Sequence, residues 1–307
     1  MRVLVTGGAG FIGSHIVEFL QGRAEISVLD NVRSGSWNNL DDFQYVRIKG
    51  SILDRDLVRQ AMQDVDYVFH LAAMASVPES IENPVECTEI NITGTLIVLE
   101  EAARAKAKRL IFSSSAAIYG DSEITPKIET MSPAPKSPYA ATKLAGEVHC
   151  QRFADEGRLE TVSLRYFNVF GPRQNPKSQY AAAVPAFIQR AIRNQPIVIF
   201  GDGGQTRDFV FVSDVVAANI FFAMRSSAVG TFNVARGEGI TINDLALAVR
   251  DLTGSSSEIK HTEERTGDVR ESVAAADKLR SAGFAPNWSL RDGLSVTIEF
   301  FKEKYKT

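Results

Sequence analysis

Residues 2 to 13 read Arg2-Val3-Leu4-Val5-Thr6-Gly7-Gly8-Ala9-Gly10-Phe11-Ile12-Gly13. The first five make a short buried strand, and three glycines spaced three apart lead into Ser14-His15-Ile16-Val17-Glu18-Phe19-Leu20, whose apolar positions recur at helical spacing. Gly7, Gly10 and Gly13 let the backbone pass close to a pyrophosphate, whose charge is met by the N–H groups and dipole at the helix start. A second strand, Ile26 to Leu29, ends in Asp30. A carboxylate there accepts hydrogen bonds from both ribose hydroxyls of an adenosine and repels a 2′-phosphate. Glycine clusters also make ordinary turns. Strand, spaced glycines, helix, strand and terminal acid in this order specify a dinucleotide site, and Asp30 favours NAD over NADP. Arg33 is near enough to meet a 2′-phosphate, but its plainer reading is a solvated loop arginine.

The alternation continues, with strands expected at Phe43 to Ile48, Tyr67 to Leu71, Arg109 to Ser113 and Thr161 to Tyr166. Helical patterns separate them at Asp54 to Met62, Pro84 to Ala105 and Tyr139 to Phe153. Repeated strand-helix units imply an α/β fold with a doubly wound parallel sheet of the Rossmann type, covered on both faces. Ligands in such sheets gather at the carboxyl ends of the strands. That rule selects Asp30, Leu71-Ala72-Ala73, Ser113 to Ser115 and Tyr166-Phe167-Asn168. His70, inside a strand, reads as a hydrogen-bonded core histidine. From residue 167 the pattern loosens into glycine-rich loops, a helix from Val184 to Ile192, a helix through Met224 capped by Ser213-Asp214, a strand from Thr231 to Val234, and a helix from Ile242 to Leu252 capped by Thr241 or Asn243. The expected layout is a nucleotide-binding domain of residues 1–166 plus roughly 209–236, and a smaller, discontinuous C-terminal substrate lobe of 167–208 plus 237–307.

Composition narrows the partners. The 307 residues carry a formal net charge of -3, with no long basic run, so nothing in the charge argues for nucleic acid. Cys87 and Cys150 are the only cysteines and show no metal-ligand spacing, which implies neither a zinc site nor a disulfide framework. No run of about 18 apolar residues is present to span a bilayer. These features point to a cytoplasmic protein without membrane partners.

Ser137-Pro138-Tyr139-Ala140-Ala141-Thr142-Lys143 places a phenol and an ammonium four residues apart, one above the other on a helix face. Holding a free tyrosine as phenolate at pH 7 costs roughly 4 kcal/mol, since it titrates near pH ~10. An ammonium about 4 Å away returns a gross Coulomb energy of ~4 kcal/mol at an effective dielectric of about 20. One lysine is therefore enough to turn Tyr139 into a usable base, although a Tyr and a Lys four apart are in many helices simply surface residues.

With Gly7-x-x-Gly10-x-x-Gly13, Ser113-Ser114-Ser115-Ala116-Ala117-Ile118-Tyr119-Gly120 and Tyr139-x-x-x-Lys143 in order, the chain resembles the extended short-chain dehydrogenase/reductase family. Within it the resemblance is to nucleotide-sugar 4-epimerases of the UDP-glucose/UDP-N-acetylglucosamine type, running from the glycine loop to Gly267-Asp268-Val269-Arg270. It implies that NAD is the cofactor and that a UDP-hexose is epimerised at C4 through a 4-keto intermediate. Tyr139 would be the general base and acid, Lys143 would bind the nicotinamide ribose and lower the tyrosine pKa, and Ser115 would hydrogen-bond the reacting oxygen. The resemblance places Phe11, Ile12, Asn31, Leu71, Ala72, Ala73, Asn91 and Tyr166 around NAD. Ser51 and Ile52 would lie near adenine, with a serine where the family commonly has an aspartate. For substrate it implies Asn168, Arg207 and Arg270 on the diphosphate, Asp268 on the nucleotide ribose, and Val184-Pro185-Ala186-Phe187 with Ile197-Val198-Ile199-Phe200 about the uracil. Ser272 aligns with a pocket-gating residue that is a large tyrosine in enzymes restricted to unacetylated hexoses, so a serine leaves room for a 2-N-acetyl group.

Ala116-Ala117 stand where the family's 4,6-dehydratases carry an Asp-Glu pair that supplies the acid and base for water loss. A UDP-glucuronate 4-epimerase or decarboxylase shares the same hydride step, and a non-catalytic NAD-sensing regulator would be expected to lack the Tyr or the Lys. The epimerase chemistry needs no metal. The resemblance also implies a homodimer formed through the helices around Glu89 to Ala105 and Tyr139 to Phe153, whose apolar stripes serve equally to face their own sheet.

Overall fold

The computed structural model describes residues 1–175, 183–264 and 269–306. In chain order its strands are β1 (Arg2–Thr6), β2 (Glu25–Asp30), β3 (Val46–Lys49), β4 (Tyr67–His70), β5 (Arg109–Ser115), β6 (Glu160–Tyr166), β7 (Asn168–Phe170), β8 (Ile197–Phe200), β9 (Thr206–Phe211), β10 (Gly230–Val234), β11 (Gly239–Thr241), β12 (Ile259–Thr262) and β13 (Glu271–Ser272). Seven of them form one parallel sheet in the order β10-β6-β5-β4-β1-β2-β3. The chain winds outward in both directions from β1, so the strand order reverses between β1 and β4, where a doubly wound sheet opens a crevice at its carboxyl edge.

Strand alternation explains why both faces are covered. Val3 and Val5 of β1 enter one apolar cluster with α1 (Phe11–Leu20), while Leu4 between them enters another with α2 (Arg55–Ala61). The chain continues through α3 (Val77–Glu82), α4 (Pro84–Thr88), α5 (Gly94–Arg104), α6 (Pro138–Asp155), α7 (Ala183–Ile192), α8 (Val212–Met224), α9 (Ile242–Thr253), α10 (Asp277–Ser281) and α11 (Leu290–Lys306). Helix α8 joins α1 on the first face; α5 and α6 join α2 on the second. Each fully buried Leu, Ile or Val contributes roughly 1.5–3 kcal/mol relative to exposure, so two such clusters hold the sheet rigid under its crevice.

The smaller lobe has its own core, in which Phe187 and Ile188 of α7, Leu245 and Val249 of α9, and Leu294 and Phe301 of α11 pack around Phe170, Phe209 and Phe211. Strand β9 pairs with β7, β11 and β13, and β8 pairs with β12. No helix among the described residues is long and apolar enough to cross a membrane.

Three local expectations are corrected. The helix expected over Pro84 to Ala105 is interrupted by a π turn at Glu89–Thr93, between α4 and α5. The strand expected at Phe43 begins at Val46, because Phe43 closes a turn on the Leu40 carbonyl and packs into the core. Ser213 and Asp214 do not cap α8, which starts at Val212 with no side-chain cap. Asp214 instead accepts from the Asn287 and Trp288 N–H groups, at 2.9 and 3.1 Å, and ties the approach of α11 to α8.

Candidate active site

A cavity of about 500 Å³ lies along the carboxyl edge of the large sheet, running from Asp30 and Ser51 past Gly7, Gly10 and Gly13 to Ser115, Tyr139, Lys143 and Tyr166. Of the residues expected around NAD, Phe11, Ile12, Asn31, Ile52, Leu71, Ala72 and Ala73 also line it. Gly7 sits at φ +73°, and a Cβ there would meet the Ala72 nitrogen at 2.6 Å; one on Gly13 would meet the Gly7 carbonyl oxygen at 2.3 Å. Only glycine therefore permits this turn and its approach to the chain after β4. Gly10 is the N-cap of α1 and supplies no side-chain cap, so the first N–H groups of α1 remain for an anion.

Asp30 holds the turn from the other side. Its carboxylate accepts from Ala9 N at 2.9 Å and Val32 N at 2.7 Å, and burial pushes its pKa up against those two donors. Gln174 also reaches the cavity. Its Nε2 donates to the Val169 carbonyl at 3.1 Å, while its buried Oε1 has no partner among the described residues. Uncapped helix, crowded glycines, ribose-side carboxylate and orphaned amide oxygen together fit a dinucleotide lying from Asp30 to Tyr139. Sequence reasoning passed over Gln174, for which the only signal was its place in the turn-rich loop after β7.

At the other end, β5 delivers Ser115 and α6 delivers Tyr139 and Lys143. Ser137 caps α6 by accepting from Ala140 N at 3.2 Å, which fixes the turn that carries Tyr139. Ser115 Oγ accepts from Ala117 N at 3.1 Å and stands beside Tyr139. Lys143 is buried, donates to the Ser113 carbonyl at 2.8 Å, and has its pKa pushed down to about 8 by burial. Its Nζ is 5.8 Å from the Tyr139 ring centre. The expected lowering of the tyrosine pKa is not a property of the protein alone. Burial raises the Tyr139 pKa, and the neighbouring Ser115 hydroxyl opposes that rise.

Behind this wall lies a polar layer that the sequence reading missed. Glu147, one turn beyond Lys143, accepts from Ser114 Oγ at 2.5 Å and pairs with Arg165 at 2.7 and 2.9 Å. Arg165 also donates to the Tyr119 hydroxyl at 2.8 Å, which donates to Asn233 Oδ1 at 2.7 Å. The four-residue spacing of Tyr139, Lys143 and Glu147 was the available signal. Asn91, expected beside NAD, stands behind the wall: Oδ1 accepts from Met74 N at 2.7 Å, and Nδ2 donates to Met74 O at 3.1 Å and Thr142 Oγ1 at 2.9 Å. His70 is a core histidine, held by Thr6 Oγ1 at 2.7 Å and Thr95 Oγ1 at 2.9 Å. Arg33, read as solvated, is instead paired with Glu79 and Glu86.

The substrate residues are gathered less completely. Strand β9 carries Arg207, with Ser272 of β13 in register beside it and Asn168 on β7 against Phe209. Asn168 Nδ2 donates to the Asp208 carbonyl at 3.1 Å. Arg270 forms a forked pair with Asp202 at 2.8 and 3.0 Å. Val184 is completely buried in the small-lobe core. Asp268 lies outside the described residues.

Residues 3–235 match the model of the NAD dependent epimerase/dehydratase family. The UDP-glucose 4-epimerase of Thermotoga maritima, solved with UDP-glucose, is 40% identical with a TM-score of 0.95, covering 99% of this chain and 100% of that one. The UDP-N-acetylglucosamine 4-epimerase of Methanobrevibacter ruminantium, solved with UDP-N-acetylmuramic acid, is 40% identical with a TM-score of 0.94, covering 99% and 98%. The UDP-glucose 4-epimerase of Thermus thermophilus, solved with NAD, is 38% identical with a TM-score of 0.91, covering 98% and 99%.

Proposed function

Because the chain belongs to the NAD-dependent epimerase/dehydratase family, we propose that it is a cytoplasmic, NAD-dependent 4-epimerase of UDP-hexoses, acting on UDP-glucose/UDP-galactose and on their 2-acetamido counterparts. The observation that carries this reading is the convergence of Ser115, Tyr139 and Lys143 on one wall of the cavity that the glycine turn also lines. Gly7, Gly10 and Gly13, with Phe11 and Ile12, would hold the dinucleotide backbone. Asp30, Asn31, Ser51 and Ile52 would hold its adenosine, and Leu71, Ala72, Ala73 and Tyr166 its nicotinamide half. When bound, NAD supplies a reversible hydride acceptor at C4 and a positive ring that favours the tyrosine phenolate.

The side chains then do the proton work. Tyr139 takes the proton of the C4 hydroxyl and later returns one to the 4-keto sugar, which has turned to present its other face. Ser115, whose oxygen is held by Ala117 N, directs its hydroxyl proton to the reacting oxygen. Lys143, anchored on Ser113 O, orients the nicotinamide ribose. Ala116 and Ala117 open a short 3₁₀ turn directly after Ser115 and offer no carboxylate, which favours epimerisation over dehydration. Asn168, Arg207 and Arg270 would hold the diphosphate, with Asp268 on the nucleotide ribose; Arg270 must first leave Asp202. The two lobes divide the work, the large sheet holding cofactor and the small lobe nucleotide sugar.

Substituting Tyr139→Phe is expected to lower epimerisation of each UDP-sugar by at least about a hundredfold, the usual worth of a positioned acid-base group, while NAD binding is kept. Product analysis by NMR checks this, and retained turnover sinks the assignment. A homodimer is also inferred, from exposed Ile81 on α3, Val85 on α4 and Val148 on α6; a monomer in sedimentation would refute it. The apolar residues of α5 contribute little to such a face, because Ile97, Val98 and Leu99 are buried in the chain's own core.

A further inference from the structure

Arg33 stands three residues beyond Asp30, in the loop after β2, and lines the same cavity. Its guanidinium donates to both carboxylate oxygens of Glu86, at 2.5 and 2.9 Å, and to Glu79 at 2.7 Å. The forked pair is the strong form of this contact. Glu79 belongs to α3 and Glu86 to α4, both of which follow β4. Strand β1 lies between β2 and β4, so these contacts bridge the two loops flanking the glycine turn.

Arginine is the side chain best shaped for a phosphate, and this one is already held by two carboxylates. Near the ribose end stand three carboxylates, Asp30, Glu79 and Glu86, against two cations, Arg33 and Lys49, the latter opposite Asp30 in the sheet register. We propose that Glu79 and Glu86 determine cofactor specificity by holding Arg33 between them, which withholds it from a 2′-phosphate and leaves a ribose with free hydroxyls as the preferred ligand. Asp30 opposes the phosphate directly; Glu79 and Glu86 act through Arg33 and are positioning residues. This inference rests on reading the cavity as a dinucleotide site.

The test is equilibrium titration of the full chain with NAD⁺ and with NADP⁺. The isosteric double variant Glu79→Gln/Glu86→Gln frees the guanidinium at half-exposed positions. It should tighten NADP⁺ binding on the order of tenfold, the size of one charge-assisted hydrogen bond, with NAD⁺ affinity changed less than about twofold on the same scale. Adding Arg33→Ala should abolish that gain, whereas Arg33→Ala alone should leave the NADP⁺/NAD⁺ ratio unchanged. An ion pair that merely supports the loops would shift both dinucleotides together. That result, or an unchanged ratio in the double variant when the wild-type chain binds NAD⁺, overturns the inference. A wild-type chain that binds neither dinucleotide removes the underlying reading as well.

Discussion

At the scale of single residues, burial separates groups that a sequence shows only as titratable. Tyr139 and Lys143 are driven toward their neutral forms, the tyrosine upward and the lysine down to about 8. Both directions follow from removing charge from water. His70 meets the same force without a chemical task. It is buried, hydrogen-bonded by Thr6 and Thr95, and held down to about 3 by burial and by the Lys143 charge. Unfolded, it titrates near its ordinary value of 6.5. Between those two values the unfolded chain binds a proton that the folded chain refuses, so His70 withdraws stability as pH falls from about 6.5 toward 3, by up to about 1.4 kcal/mol per pH unit. Thermal melts of wild type and His70→Gln across that window are expected to diverge in slope, the variant being flatter. Parallel slopes would show that His70 is protonated in the fold.

At the scale of elements, the site is made where one element ends and the next begins. The glycine turn joins β1 to α1, and its conformational demand has two parts that substitution separates. Gly7 and Gly157 are both left-handed, at φ +73° and +64°, but a Cβ on Gly157 meets nothing within 4 Å, whereas on Gly7 it meets Ala72 N at 2.6 Å. Gly157→Ala should cost only the left-handed backbone strain, about 1–2 kcal/mol. Gly7→Ala should cost more than that in denaturant melts, because the chain after β4 must move, and should weaken dinucleotide binding as well. Equal costs would mean that the turn yields freely. The π turn at Glu89–Thr93 makes the same point from the helical side. It carries Asn91, whose amide joins the Met74 segment to Thr142 of α6, so an irregular turn braces the wall beside Tyr139. The helical pattern of the sequence runs straight through it.

At the scale of the whole molecule, two lobes meet because β6 runs into β7 with only Phe167 between Tyr166, which lines the cofactor cavity, and Asn168 on the small sheet. Ser272 reaches that sheet from a later segment of the chain, in register with Arg207 on β9. If this position bounds the sugar pocket, Ser272→Tyr should lower kcat/KM for 2-acetamido UDP-sugars at least about tenfold, a loss of roughly 1.4 kcal/mol in transition-state binding, with little change for UDP-glucose. Kinetics on both substrates check this, and equal effects would remove Ser272 from the pocket. The amino-acid sequence by itself determined the large sheet, its glycine turn, Asp30 at the end of β2, and the Tyr139-Lys143 stripe, because each is written in local periodicity or spacing. Tertiary structure alone decided that Asn91 and Val184 are buried, that Glu147 pairs with Arg165 and binds Ser114, and that Arg33 is held by two glutamates. Those outcomes depend on which distant segment arrives opposite a side chain, and the burial and charge that it brings are set by packing between elements, not by any pattern within one.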